Sequence, residues 1–168
     1  SDLEKVHQAL AIIQFKLENQ LIKRRPEFQM QDHVMLDKID YWEESVTIDD
    51  TKHPLVNTCF QTINPENPSA LTPEENQAVD SMLASFQSSL KMAEHMSLLM
   101  NKGSMYKIYN QHLLFHGCIP LEPSGEFQPF ILNQAHYAGK ELLDFFEYHI
   151  RQAAKNKEVG DDLSTDLI

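Results

Sequence analysis

The stretch Leu113-Leu114-Phe115-His116-Gly117-Cys118-Ile119-Pro120 holds the residues best suited to chemistry in this chain. An apolar run brings one imidazole to a glycine turn, and Pro120 stops the strand. A neutral imidazole at the rim of a sheet is a good metal ligand. If the run is a buried strand, Leu114 and His116 share one face, while Leu113, Phe115 and Gly117 share the other. The pattern by itself favours a structural, hydrogen-bonded histidine over a ligand. His112 and His116 have the i, i+4 spacing that chelates zinc on a helix. On a strand that spacing spans about 13 Å, too far to share one ion, so His112 reads as structural or exposed.

The other reactive residues converge less. His7, His33, His53, His95, His136 and His149 show no common spacing. Asp32-His33 is adjacent rather than D-x-H, and Gly160-Asp161-Asp162 lacks the continuation of a metal-binding GDxxDRG. Glu141, Asp144 and Glu147 stack at i, i+3 on a helix, which a solvated acidic face explains. Lys23-Arg24-Arg25 could meet phosphate, although a solvated helix terminus is the commoner use. Cys118 has no evident activating base and reads as a small buried hydrophobe. The chain holds no P-loop, GxGxxG, GxSxG or HExxH motif.

Helices and short strands must position these groups. Leu3, Val6, Leu10, Ile13, Leu17 and Leu21 recur at steps of three and four, predicting a helix over 3–25 with that stripe inward; Pro26 ends it. Alternation at Ile39/Tyr41 and Val46/Ile48 predicts a small strand pair within 35–50, turning at Glu43-Glu44-Ser45. Residues 51–73, rich in Pro, Asn and Thr, read as irregular. Thr72-Pro73-Glu74-Glu75 is a capping box, opening a long helix over 73–102 that Gly103 ends as a left-handed stop. At 1.5 Å per residue that helix is about 43 Å long and should pair with the first. Strands follow over 104–116 with a tight Asn110-Gln111 turn, then a strand within 127–132. A last helix covers 137–156, and the chain beyond Lys157 reads as acidic and frayed. The fold class is therefore α+β: long amphipathic helices with a small, mostly antiparallel sheet.

At 168 residues the chain makes one domain or two small ones, with a core able to bury roughly 70% of its unfolded surface. The hydrophobic share is 42% and the charged share 23%, ordinary for a globular protein. A formal net charge of −11 argues against nonspecific binding to nucleic acid or to an anionic membrane. Cys59 and Cys118 are too few and too scattered for a disulfide framework, which fits a reducing cytoplasm. No signal peptide and no bilayer-spanning run is found. The chain starts without Met and inside a helical pattern, and it reads as an internal fragment of a longer protein.

Four blocks carry a resemblance. They are AIIQFKLENQLIKRRPEFQM (Ala11 to Met30), MLDKIDYW (Met35 to Trp42), KGSMYKIYNQHLLFHGCIPL (Lys102 to Leu121) and GKELLDFFEYHIRQA (Gly139 to Ala153). In order, and across nearly the whole chain, they resemble class III fructose-1,6-bisphosphatase, a Firmicutes/Bacteroidetes-type branch of the calcineurin-like metallophosphatases. The resemblance implies a dinuclear, commonly manganese-dependent site that hydrolyses fructose 1,6-bisphosphate to fructose 6-phosphate and phosphate in gluconeogenesis. Two ions about 3.5–4 Å apart would activate water and neutralise phosphate oxygens. Members of the superfamily hold the metals with D-x-H, GDxxDRG and GNH-type motifs and two later histidines, the first in a strand-end HGG motif. Phe115-His116-Gly117-Cys118 is similar to that element, and this implies that His116 is a metal ligand. Cys118 stands where the pattern has its second glycine. The remaining motifs are missing from this chain and are expected upstream and downstream in the parent.

One ligand cannot hold a working ion, so the isolated segment is expected to be inactive. The resemblance assigns no catalytic residue here, and the residues that touch sugar stay unknown. A competing reading makes the chain a regulatory or oligomerisation module in which His116 is incidental. If the strand before His116 belongs to a larger sheet, its open edge could pair with another copy and give a homo-oligomer.

Overall fold

The computed structural model describes residues 2–155 and 163–167. The fold is α+β, with helices and three small antiparallel sheets among the described residues. The chain divides into two compact units, Ser1–Ser85 and Phe86–Ile168.

In the first unit α1 spans Asp2–Arg24, with acidic residues in its first turn and Lys23 and Arg24 in its last, as the helix dipole favours. Short 3-10 turns at Pro26–Phe28 and Leu36–Lys38 then bury Phe28 and Leu36. Strands β1 (Ile39–Asp40), β2 (Ser45–Ile48) and β3 (Thr51–Pro54) make one antiparallel sheet in that order. Ile39 lies opposite Val46, and Ser45 opposite Pro54. The third strand falls where the sequence predicts an irregular segment. Its cause is Asp49-Asp50, both left-handed at φ 47° and 59°. Two such residues make the tight hairpin turn whose twist suits antiparallel strands, and Asp tolerates that conformation.

The face of α1 that is buried differs from the predicted stripe. Leu3, Val6, Leu10 and Leu17 are exposed, whereas Ile13, Lys16, Asn19 and Ile22 are buried. The reason is the irregular segment, whose carbonyls lie against the helix and need donors. Gln8 Nε2 donates to Asn57 O at 3.2 Å, Lys16 Nζ to Thr62 O at 2.6 Å and Gln20 Nε2 to Ser69 O at 2.6 Å. An apolar face could not satisfy those groups.

Helix α2 (Pro73–Ser88) opens on the predicted capping box. Thr72 N donates to Glu75 Oε2 at 2.8 Å, and Glu75 N donates to Thr72 Oγ1 at 3.2 Å. The long helix expected over 73–102 is broken at Ser89. Ser89 is extended (φ −78°, ψ 107°), and its Oγ accepts from Met92 N, so a new helix α3 (Leu90–Lys102) starts with its own cap. Gly103 ends α3 in extended geometry (φ −75°, ψ 161°) rather than as a left-handed stop, with its N–H donating to Leu99 O.

The second unit contains two hairpins built alike. Strands β4 (Tyr106–Tyr109) and β5 (His112–Phe115) turn at Asn110-Gln111; β6 (Phe130–Leu132) and β7 (Ala135–Tyr137) turn at Asn133-Gln134. All four turn residues have positive φ. Helix α4 runs Lys140–Lys155 rather than from residue 137, because Tyr137 ends β7 and Gly139 is left-handed at φ 53°. A four-residue α5 (Leu163–Asp166) follows. The predicted last helical residue, 156, and Gly160-Asp161-Asp162 lie outside the described residues. Leu132, Leu142 and Leu143 are buried, and the Phe130 ring packs on Phe145 and Phe146 at 5.9 and 5.7 Å. His149 is used structurally: its Nδ1 lies 2.8 Å from Ser164 Oγ, tying α5 to α4 with both residues buried. No helix among the described residues is long and apolar enough to cross a membrane.

Candidate functional site

His116 is the first residue past β5. The hairpin register pairs Tyr109 with His112 and Tyr106 with Phe115, so the strand delivers His116 at its far end. Gly117 then turns the chain at φ 84°, a conformation that glycine adopts without strain, and a Cβ there would meet no atom within 4 Å. The sequence places the imidazole correctly at a strand end before a glycine turn. The expectation of a buried strand is overturned: every residue of β5 is exposed. Among the described residues β5 pairs with β4 alone, and a two-stranded ribbon has no layer to cover it. Cys118, expected to be buried, is exposed.

Among the described residues no group of three or more His, Cys, Asp or Glu side chains could hold a metal ion. An open catalytic site takes about three protein ligands. The residues here therefore do not fit the complete manganese centre that the resemblance implies, and no hydrolytic step can be assigned to them. His116 supplies an exposed donor nitrogen pair on a defined turn, which is the equipment of one ligand.

On the acidic row of α4, Glu141 and Asp144 are exposed as predicted, and Glu147 is half-buried. Glu147 Oε2 accepts from Ser104 Oγ at 2.7 Å and from Met105 N at 2.9 Å. Its Oε1 accepts from Arg151 Nη2 at 2.8 Å, and the same guanidinium donates to Gly103 O at 2.9 Å and to Met100 O. The Ser104 hydroxyl, with Arg151 and Met105 N–H, holds the Glu147 carboxyl below its ordinary range despite partial burial. Asp144 accepts from Tyr106 OH at 3.1 Å and pairs with Lys140, which keeps its carboxyl low and the lysine high. Glu141 and Asp144 thus lie on the predicted solvated face, Asp144 with exposed partners, and Glu147 departs from it. The pair Glu147–Arg151 closes the end of α3 and fixes the root of the β4–β5 hairpin.

The cationic run at the end of α1 is also engaged. Lys23 pairs with Asp37 at 2.8 Å and reaches Ser69 Oγ at 3.4 Å, and Arg25 lies 3.5 Å from Glu27. Lys23 lines a groove of about 720 Å³ with Leu36, Asp37, Tyr41, Trp42 and Pro65. Burial pushes the Tyr41 phenol up to about 12, helped by Asp37, and its hydroxyl donates to Leu36 O at 2.7 Å. Asp40 caps the turn by accepting from Glu43 N and Trp42 N, which lowers its pKa. These polar groups serve the fold of the 36–43 segment.

Sequence reasoning missed the buried ion pair between Lys16 and Glu75, at 2.7 Å. One signal was available: Glu75 is the reciprocal residue of a capping box. Its partner, 59 residues earlier, could not be read from local pattern.

A family model for Firmicute fructose-1,6-bisphosphatase matches residues 1–168. A protein of Streptococcus sanguinis (strain SK36) named fructose-1,6-bisphosphatase class 3 is 97% identical over 166 residues, covering 99% of this chain and 26% of that relative. One of the same name from Streptococcus gordonii is 83% identical, with the same shares covered. Another, from Staphylococcus epidermidis, is 51% identical over 168 residues, 100% of this chain and 26% of the relative. The chain thus spans about a quarter of the length of the curated relatives it matches. No solved structure matches it.

Proposed function

The chain belongs to the Firmicute fructose-1,6-bisphosphatase family, and from that premise we propose that its full-length protein hydrolyses fructose 1,6-bisphosphate to fructose 6-phosphate and phosphate. The family match across residues 1–168 is the observation that carries this reading. The reaction would serve gluconeogenesis. Two free thiols, Cys59 and Cys118, support a cytoplasmic setting.

Within that protein we assign to His116 the role of one metal ligand in a manganese-dependent centre. The support is its place directly after β5 and before the left-handed Gly117. When bound, the metal would supply charge neutralisation at phosphate and an activated water. What this chain supplies is an imidazole aimed from a fixed turn. Residues 1–168 alone are expected to release no phosphate.

The test is His116→Ala in the full-length enzyme. Manganese-dependent turnover should fall by at least about 100-fold, the upper end for disturbing a ligand's surroundings, with the thermal transition retained. Unchanged metal content and activity would defeat the ligand role. The second reading, a module for subunit association that makes a homo-oligomer, is favoured by the exposed apolar residues of α3, where Leu90, Leu98 and Leu99 face solvent. It predicts that His116→Ala leaves turnover intact.

A further inference from the structure

Asp144 and Glu147 stand about one turn apart on α4. Together they grip successive residues where the chain enters β4. Glu147 Oε2 accepts from Ser104 Oγ at 2.7 Å and from Met105 N at 2.9 Å. Asp144 Oδ1 accepts from Tyr106 OH at 3.1 Å. Lys140, paired with Asp144, also lies over the Tyr106 ring, 5.4 Å from its centroid. Glu147 is itself fixed, since Arg151 donates to its Oε1 from Nε and Nη2 and holds Gly103 O at 2.9 Å.

These ties fall at one end of the hairpin. The antiparallel register sets Tyr106 opposite Phe115, while Tyr109 lies opposite His112 beside the turn. His116 follows Phe115 directly. The end of the ribbon that α4 holds is therefore the end from which the imidazole leaves. A two-stranded ribbon is at best marginally stable alone, so whatever grips one end decides how steadily that end is placed. Such steadiness matters at a reacting centre, where a shift of about 1 Å can cost on the order of 100-fold in rate.

We propose that Asp144 and Tyr106 are positioning residues for His116. The carboxylate holds the Tyr106 hydroxyl, Tyr106 holds its cross-strand partner Phe115, and Phe115 sets where the next residue stands. Neither side chain has to touch substrate. The Tyr106–Asp144 bond is exposed to solvent, so losing it costs the fold little while loosening the strand end. This role rests on the ligand reading of His116 and extends it to residues that the reading does not use.

The experiment uses the full-length enzyme carrying Tyr106→Phe, which removes one hydroxyl and keeps the ring, or Asp144→Ala. Each should lower the turnover number about tenfold, as for groups that orient a metal ligand from behind, with KM and the thermal transition retained. Asp144→Asn keeps an oxygen that can accept from Tyr106 and should retain most of the turnover. The double variant, Tyr106→Phe with Asp144→Ala, should be no slower than either single change, because both act through one bond. Hydrogen exchange in the metal-free protein gives a readout independent of activity. Amides of residues 114–117 should quicken in Tyr106→Phe ahead of those elsewhere in the second unit. Either readout at the wild-type level in Tyr106→Phe overturns the proposal. So do losses that multiply in the double variant, or an Asp144→Asn enzyme as slow as Asp144→Ala. His116→Ala separates the two layers of the reading. Full turnover in that variant defeats the ligand role and the positioning role with it; impaired turnover there beside an unaffected Tyr106→Phe defeats the positioning role alone.

Discussion

Lys16 on α1 and Glu75 in the first turn of α2 form an ion pair at 2.7 Å with both side chains buried, Lys16 completely so. The ammonium also donates to Thr62 O at 2.6 Å, and Glu75 Oε2 also accepts from Thr72 N. One contact thereby joins α1, the irregular segment and the start of α2. Truncating one side of a buried pair leaves the other charge desolvated and alone, which costs more than the pair itself contributes. Lys16→Ala should destabilise the first unit by about 3–5 kcal/mol, read as a drop in the urea midpoint. Lys16→Met with Glu75→Gln should recover much of that loss, since the double change removes both charges and keeps the volume.

The same carboxylate gives a pH dependence. Burial raises the Glu75 pKa, but hydrogen bonds from Lys16, Thr62 and Thr72 outweigh it, and the net shift is downward. Glu147 is lowered as well, first by Ser104. A depressed folded-state pKa means that the unfolded chain takes up its proton first. The stabilisation is therefore complete above the ordinary carboxylate range and is lost as pH falls through and below about 4. Denaturation midpoints should be flat from neutrality to about pH 5 and should then decline; Glu75→Gln should flatten part of that decline.

Arg151 makes four hydrogen bonds, two to carbonyls at the end of α3 and two to Glu147. Lysine cannot reproduce this planar fork. Arg151→Lys should cost about 1–3 kcal/mol, and hydrogen exchange should quicken at residues 100–105 before it does elsewhere in the second unit. Equal protection in the variant would show that the α3 terminus is held by something else.

Gly117 isolates a backbone effect. A Cβ there meets nothing, yet φ is 84°. Gly117→Ala should therefore cost about 1 kcal/mol from strain alone, with no change in side-chain packing. Gly103→Ala should cost more, because its Cβ would lie 2.4 Å from Leu99 O. Comparing the two thermal shifts checks the distinction.

Much of the local structure was legible in the residues. The dipole-matched ends of α1, the capping box at Thr72–Glu75 and the Asn110-Gln111 turn all follow from chemistry within a few positions. So does the imidazole at a strand end before glycine, although its role as a ligand came only through resemblance. The misplaced elements share a cause. Asp49-Asp50 and Ser89 each carry two readings, loop or hairpin turn for the first, helix interior or cap for the second, and neighbouring residues do not choose between them.

The sequence by itself determined where α1 and α2 start, the tight Asn110-Gln111 turn, and the family, because these depend on short-range sterics, hydrogen bonds and residue order. Tertiary structure alone decided which face of α1 is buried and what Asp144, Glu147 and Lys16 are for. Periodicity predicts that apolar residues go inward, but an irregular segment packed on a helix brings unpaired carbonyls, and those select Lys16 and Gln20 instead. It also decided that Leu113-Leu114-Phe115 is open here. An apolar strand is buried only when another layer reaches it, and no local pattern states where that layer comes from.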